Sequence, residues 1–348
     1  MAIFSKKHLF IINPRSFLGF REINRVIAEI VRCFDGPLAA RQFFGDVVPV
    51  LPNPYSISSP YAIHISRFPR DPIIVIRKYM ALMKTPVRIY AIGGDGLVFS
   101  CLNGIAELPN AELAIVPYGT GSDFTQSFGG VELIPRMRNI QKQIDAPVIP
   151  TDLIDCGGIY ALNACALGFE GMATLKSYAA FKTLWRIRRR FPAVTEGIYR
   201  IAGVLELFDA DTMGQYYQVQ MDDEKLEGPM SLIHIANNPG YPINKRVIPE
   251  AVPDDGVLDM VIYRKSSLLK SLRRMPYYLK GQHGKFPENY LYRRVRSVSI
   301  SSDRPLCISL DGEVFFDTAF NIRVAPRAVR IAAVDGMPFK HWGSYDAK

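Results

Sequence analysis

Apolar and polar positions along the first third of the chain alternate between two periods. His8 to Ile12 is an apolar run of strand length, closed by the turn residues Asn13-Pro14-Arg15-Ser16. Glu22 to Phe34 then spaces its apolar residues as an amphipathic helix does. Residues 45–61 carry Pro49, Pro52, Pro54 and Pro60 among Asn53, Ser56, Ser58 and Ser59, which predicts an irregular connection instead of a strand. Helical spacing returns over residues 71–84, and an apolar strand over Val87 to Ile92 ends at Gly93-Gly94-Asp95-Gly96. Leu97 to Ile105 continues as a helix and Leu113 to Val116 as the next strand, before Pro117-Tyr118-Gly119-Thr120-Gly121-Ser122-Asp123. Strands that alternate with helices favour a mostly parallel sheet with ligands at the carboxyl ends of its strands.

From about residue 148 the pattern changes. The segments IDCGGIYALNACALGF, YRIAGVLELF, YYQVQM, SLIHIANN, DMVIYR, VRSVSIS and LCISLDGEVFF read as β segments separated by turns. The expectation is an α/β nucleotide-binding domain over residues 1–147, with a mostly parallel sheet, followed by a β-rich, sandwich-like domain over residues 148–330. Residues 331–348 form a tail that either completes the second domain or returns to the first. A length of 348 residues agrees with two domains of about 150 residues each. With 48% hydrophobic and 22% charged residues, the chain can bury a sizeable core, which excludes disorder throughout.

Charge sharpens this picture. The formal charge of +9 is unevenly placed: residues 264–296 hold ten Lys/Arg and one Glu, residues 176–200 seven Lys/Arg and one Glu. These segments carry +9 and +6, so the rest of the chain is mildly acidic. RIRRR at Arg186 to Arg190 and RKSSLLKSLRR at Arg264 to Arg274 fit either attraction to an anionic membrane surface or a solvated helix face. Nothing marks a groove-reading or base-stacking module, so no specific nucleic acid is expected. Cys33, Cys101, Cys156, Cys165 and Cys307 form no CxxC pair, which favours a reducing, cytoplasmic setting without a disulfide framework. No stretch reaches 18 uninterrupted apolar residues, so membrane contact is expected to be peripheral.

Four segments could carry chemistry. Gly93-Gly94-Asp95-Gly96 follows a strand and precedes a helix, where glycine backbone lets phosphate approach amide hydrogens. An ordinary glycine-rich turn explains it equally well. Gly119 to Asp123 repeats the arrangement after the next strand, so two loops could enclose one phosphate chain. Neither completes GxGxxG, and GxxxxGK[ST] is lacking. Asp311-Gly312-Glu313 lies between two strands, with Asp311 the preferred general base; a hairpin turn is the plainer reading. Asp254-Asp255-Gly256, with Asp259, is either a brace for a hard cation or a solvated Asx turn.

Taken in order, the two loops, DDGVLD and DGE resemble the diacylglycerol kinase catalytic family, which includes bacterial lipid kinases and the related sphingosine kinases. The resemblance spans about residues 6–330. It implies nucleotide contacts from Gly93, Gly94, Asp95, Gly96, Gly119, Thr120, Ser122 and Asp123, with weaker matches at Asn13 and at Ser66. It also implies Asp311 as base with Glu313 assisting, and Asp255 as ligand of a structural Mg²⁺ with Asp259 in support. ATP and Mg²⁺ are the implied cofactors and a lipid hydroxyl the implied acceptor, diacylglycerol first. Leu97 stands where the family has threonine, Phe99 and Ser100 where Asn and Glu are frequent, and Ser122 where Asn is usual. These departures keep two alternatives open: a noncatalytic nucleotide- or lipid-binding regulator, and a kinase for a sphingoid or other hydroxyl acceptor. Homo-oligomers through strand edges also stay open.

Overall fold

The computed structural model describes residues 6–17, 19–44, 58–119, 121–184, 187, 190, 191, 193–209, 211–241 and 245–343. These form two compact units, the first within Met1–Ser122, Glu132–Thr151 and Ala328–Pro338, the second within Asp123–Val131, Asp152–Arg327 and Phe339–Lys348.

In the first unit, β1 (Lys7–Ile12), β2 (Tyr61–Ile65), β3 (Val87–Gly93) and β4 (Ala111–Pro117) run parallel in the order β2-β1-β3-β4. Every position of β3 and β4 is buried, as expected for parallel strands covered on both faces. Helix α1 (Phe20–Asp35) buries Ile23, Val26, Ile27, Ile30 and Val31, the stripe that 3.6 residues per turn puts on one side. Helices α2 (Pro37–Ala40), α3 (Asp71–Leu82), α4 (Asp95–Ile105), α5 (Ile134–Met137) and α6 (Ile140–Asp145) complete the layers. Late in the chain, Ile331 pairs in parallel with Leu113 of β4.

Strand β2 begins at Tyr61, the last residue of the expected irregular connection, of which residues 45–57 lie outside the described residues. Its five residues follow directly on Pro60, whose carbonyl accepts from the His8 amide at 3.1 Å. Proline is tolerated there because it precedes an edge strand and owes the ladder no N–H.

His8 gives this unit a defined response to acid. Its Nδ1 lies 2.7 Å from the Tyr90 hydroxyl. Burial, followed by the positive charges of Arg88 and Lys6, pushes its pKa down to about 4. The unfolded imidazole takes a proton near pH 6.5, so its stabilising contribution is complete above 6.5 and disappears as the pH falls to 4. At ~1.4 kcal/mol per unit the loss is about 3 kcal/mol. His8→Gln is expected to flatten that part of the acid limb, read as the change in urea midpoint between pH 7.5 and 4.5.

Strand β5 (Val148–Cys156) enters the second unit, where β6 (Ile159–Ala161) folds back on it antiparallel. Strands β7 (Ala164–Gly168), β8 (Tyr216–Met221), β9 (Glu224–Ala236), β10 (Leu258–Arg264), β11 (Tyr290–Val295), β12 (Ser297–Leu310) and β13 (Glu313–Ala332) follow. The long strands β9 and β12 each pair with β8 through their first halves and with β7 through their second, all antiparallel. Two β layers around one core, the sandwich-like arrangement expected, follow from this splaying. Helices α7 (Phe169–Thr183), α8 (Ala193–Leu207) and α9 (Leu268–Tyr278) add Phe169, Leu207 and Tyr278 to a core shared with Leu232 and Val261.

The segment YRIAGVLELF, expected as a strand, is helical through Leu207. A short apolar run fits both periods, and here exposed apolar residues blur the distinction further. None of the five cysteines is disulfide-bonded. Among the described residues no helix is long and apolar enough to cross a membrane.

Candidate active site

Parallel pairing aligns the carboxyl ends of the strands in the first unit: Ile12 lies opposite both Ile65 and Ile92, and Ile92 opposite Val116. Asn13, Ser66, Gly93 to Gly96 and Gly119 therefore emerge along one sheet edge. The Ser66 amide donates to the Ile12 carbonyl at 2.8 Å, and the Asn13 amide to Ile92 at 3.1 Å. Asn13 closes an Asx turn, its Oδ1 accepting from the Arg15 amide at 3.0 Å.

The two glycine loops touch through backbone. Tyr118 and Gly119 amides both donate to the Gly93 carbonyl, at 2.8 and 3.1 Å. A Cβ on Gly119 would stand 2.3 Å from the Gly94 Cα, and one on Gly121 would stand 2.4 Å from Asp95 Oδ2. Glycine is thus required by close approach. Asp95 opens α4, where the helix dipole favours a carboxylate, and its Oδ2 accepts the Ser122 amide at 2.8 Å. Ser122 has a φ of 70°, the left-handed region that lets its amide turn toward Asp95. Thr120 lies outside the described residues.

The altered positions have local reasons. Leu97 is buried, and its Cδ2 would stand 2.7 Å from a Cβ on Gly93, so it packs beneath the loop and offers no hydroxyl. Phe99 is also buried, and Ser100 Oγ donates to the Gly96 carbonyl at 3.0 Å within α4.

In the second unit, Asp311 and Gly312 are the two residues joining β12 to β13, both at positive φ (48° and 90°), as a type I′ hairpin turn demands. The plain turn reading and the carboxylate reading therefore describe one object. Asp311 is buried, and its carboxylate accepts three amides: Leu162 at 2.6 Å, Asn163 at 2.8 Å and Ala164 at 3.0 Å. Glu313 begins β13 and is half-buried.

Sequence reasoning passed over three buried asparagines of the second unit. Asn238 Nδ2 donates to the Asp123 carbonyl at 3.1 Å and to Asn163 Oδ1 at 2.7 Å, while its Oδ1 accepts from Ser127 Oγ at 2.5 Å. Asn163 in turn gives its amide to Asp311, so buried Asp123 and Asp311 belong to one network. Asn237 Nδ2 donates to the Asp152 and Leu162 carbonyls at 2.8 and 2.9 Å. A signal existed: Asn163 interrupts an apolar strand, and a polar side chain buried there must find partners.

The carboxylates of the Asp255 loop meet partners within the protein. Asp255 Oδ1 accepts the Val257 amide at 3.2 Å, an Asx turn, and Oδ2 is ion-paired with Arg294. Asp152 uses both oxygens, for the Gly256 and Arg327 amides at 2.7 Å each. Asp254 is held above the usual carboxylate range, first by burial and then by the Asp152 charge. Buried Asp259 bonds the Tyr292 hydroxyl, and burial raises its pKa to about 6. In this arrangement the carboxylate assigned to a cation is paired with half-exposed Arg294. Among the described residues no three His, Cys, Asp or Glu side chains gather as a metal-binding group.

A small cavity of about 30 Å³ lies in the second unit between α7, α8, α9 and the sheet. Phe169, Leu207, Leu232 and Met275 give it apolar walls, with Ser271 and Arg274 adding polar groups. It adjoins the end of β7 opposite Ala164, the residue bonded to Asp311; four residues of strand separate Ala164 from Gly168, roughly 13 Å.

Comparison with known proteins bears on both units. The diacylglycerol kinase catalytic domain family matches residues 67–156, and the YegS C-terminal NAD kinase beta sandwich-like domain matches residues 188–333. A diacylglycerol kinase of Staphylococcus saprophyticus is 27% identical over 226 residues, covering 65% of this chain and 70% of that protein. A protein of Chromohalobacter salexigens named "Probable lipid kinase YegS-like" is 27% identical over 256 residues, covering 72% of this chain and 76% of its own. The crystal structure of a diacylglycerol kinase from Bacillus anthracis str. Sterne shares the fold, with a TM-score of 0.60 at 18% identity, covering 94% of this chain and 96% of that one. With a diacylglycerol kinase catalytic-domain match ahead of a YegS C-terminal sandwich-like-domain match, the chain is similar along its length to diacylglycerol kinases and YegS-like lipid kinases.

Proposed function

We propose that this protein is a lipid kinase that transfers the terminal phosphoryl group of ATP to a lipid hydroxyl, with diacylglycerol the first acceptor. The observation that carries this reading is the backbone contact of two glycine loops at the carboxyl edge of a parallel sheet, with Asp95 opening a helix there. Backbone amides and a helix N-terminus stabilise phosphate charge without side-chain cations. In the reaction the acceptor oxygen forms a bond to the γ-phosphorus, the bond to the β-phosphate oxygen breaks, and ADP leaves. The hydroxyl proton passes to the Asp311 carboxylate, whose three amide bonds hold it in one orientation. Mg²⁺ bound with the nucleotide would supply neutralisation of charge on the phosphates.

Basic segments 176–200 and 264–296 are suited to hold the protein near an anionic membrane surface.

The test is Mg²⁺-dependent incorporation of the γ-phosphate of ATP into a panel of hydroxyl lipids dispersed in neutral detergent. Diacylglycerol is expected to be phosphorylated, and chelation of the metal to abolish transfer. A sphingoid base labelled in preference to diacylglycerol would move the acceptor assignment. ATP binding with no labelled product would mark a noncatalytic regulator, the reading favoured by the burial of Leu97 where the family carries a hydroxyl.

A further inference from the structure

Helix α8 carries apolar residues on its outer face as well as on its inner one. Ala202, Glu206 and Leu207 face inward, and buried Glu206 is ion-paired with Lys176 of α7. The outward positions are Ile201 (64% exposed), Val204, Leu205 (57%) and, directly after the helix, Phe208 (63%). Their spacing of three, one and three residues sets all four on one stripe. At about 100 Å² each the stripe exposes on the order of 400 Å², a size at which an apolar patch on a water-soluble surface marks a docking site. Tyr178 of α7, with Ile187 and Phe191, adds further exposed apolar surface along the same stretch of chain.

We infer that this face of α8 inserts into the acyl region of an anionic bilayer. The choice of a bilayer over a protein partner rests on charge: seven Lys/Arg and a single Glu lie between residues 176 and 200, and described Arg190 and Arg200 are exposed. A cationic stretch of chain leading into an apolar stripe fits headgroups above hydrocarbon, while Asp209 and Asp211 place acidic groups just beyond Phe208. The inference deepens the surface attraction proposed above, which by itself leaves the protein at headgroup level. It does not depend on phosphoryl transfer. Insertion would also bring the α8 side of the cavity, through Leu207, close to the layer in which a lipid acceptor resides.

The full-length chain is to be sedimented with vesicles of phosphatidylcholine alone or with 30% phosphatidylglycerol, without nucleotide. The parent is expected to bind the anionic vesicles at least tenfold better, and the variant carrying Ile201→Ser, Leu205→Ser and Phe208→Ser to lose at least fivefold of that binding. Phe208→Trp keeps an apolar side chain and reports depth even if the triple variant fails to fold. Its added emission should be quenched by lipids brominated in the acyl chains and not by a water-soluble quencher. Binding that salt abolishes but the serine substitutions leave unchanged, or Trp emission quenched only from water, would overturn insertion. A parent that sediments as a dimer without lipid, with the serine variant monomeric, would assign the face to a second copy of the chain. Transfer to a detergent-dispersed acceptor, measured on the same variants, should persist; its failure in the parent would count against the kinase reading and leave the insertion result standing.

Discussion

Replacing Asp311 with Asn is expected to lower phosphoryl transfer at least a hundredfold per folded molecule. A positioned base contributes on the order of 10²–10⁴ in rate, and an amide cannot take the hydroxyl proton. The choice of Asn follows from the three amides on the carboxylate. Oriented with its oxygen at the Oδ1 position, Asn still accepts from Asn163 and Ala164, and loses only the Leu162 bond. That costs about 1–3 kcal/mol. Asp311→Ala would leave all three buried donors unpaired, roughly 3–9 kcal/mol, comparable with the whole stability of a domain. Loss of activity in the alanine variant alone would therefore be uninformative. The measurement is kcat for the asparagine variant, normalised to the folded fraction from an unfolding curve, together with the pH profile. A normalised kcat within threefold of the parent would reduce Asp311 to a turn residue. Disappearance of the acid limb of the kcat profile, with KM for ATP unchanged, is the pattern expected of a base.

Gly119→Ala is expected to weaken ATP-analogue binding more than tenfold while the second unit stays folded. The new Cβ would meet the Gly94 Cα at 2.3 Å, backbone against backbone, with no side chain free to rotate away. The loops must separate by about 1 Å to restore van der Waals contact, and the Tyr118 and Gly119 bonds to Gly93 lengthen with them. Amides placed to meet one phosphate chain lose their common geometry, since alignment within about 0.5 Å is what makes such a site effective. Gly197→Ala is the control, because nothing lies within 4 Å of a Cβ there and its helical setting favours alanine. Calorimetric titration of both variants decides it: equal affinities for Gly119→Ala and the parent would show that the loop contact does not shape the nucleotide site.

Burial follows period wherever a segment is apolar on both faces or alternates cleanly, so β1, β3, β4 and most strands of the second unit were legible from residue order alone. So was the place of both glycine loops, because glycine clusters directly after apolar runs mark strand ends, and so was the Asp311 hairpin. Strand β2 was hidden by the prolines before it. Helix α8 was read as a strand because Ile201, Val204, Leu205 and Phe208 are exposed, contrary to what apolar residues ordinarily signal.

Residue order by itself determined the parallel α/β opening, the β-rich second half, and the identity of the carboxylates available for chemistry. Only the tertiary structure decided what those carboxylates do with their lone pairs. Asp255 meets Arg294 and Asp311 meets the Leu162 to Ala164 amides, while it is the main-chain carbonyl of Asp123 that is tied through Asn238 to Asn163. Each partner lies 39 or more residues away in the chain. Local spacing records which groups can donate or accept; strand pairing across the fold selects which of them meet, and burial then makes each meeting compulsory.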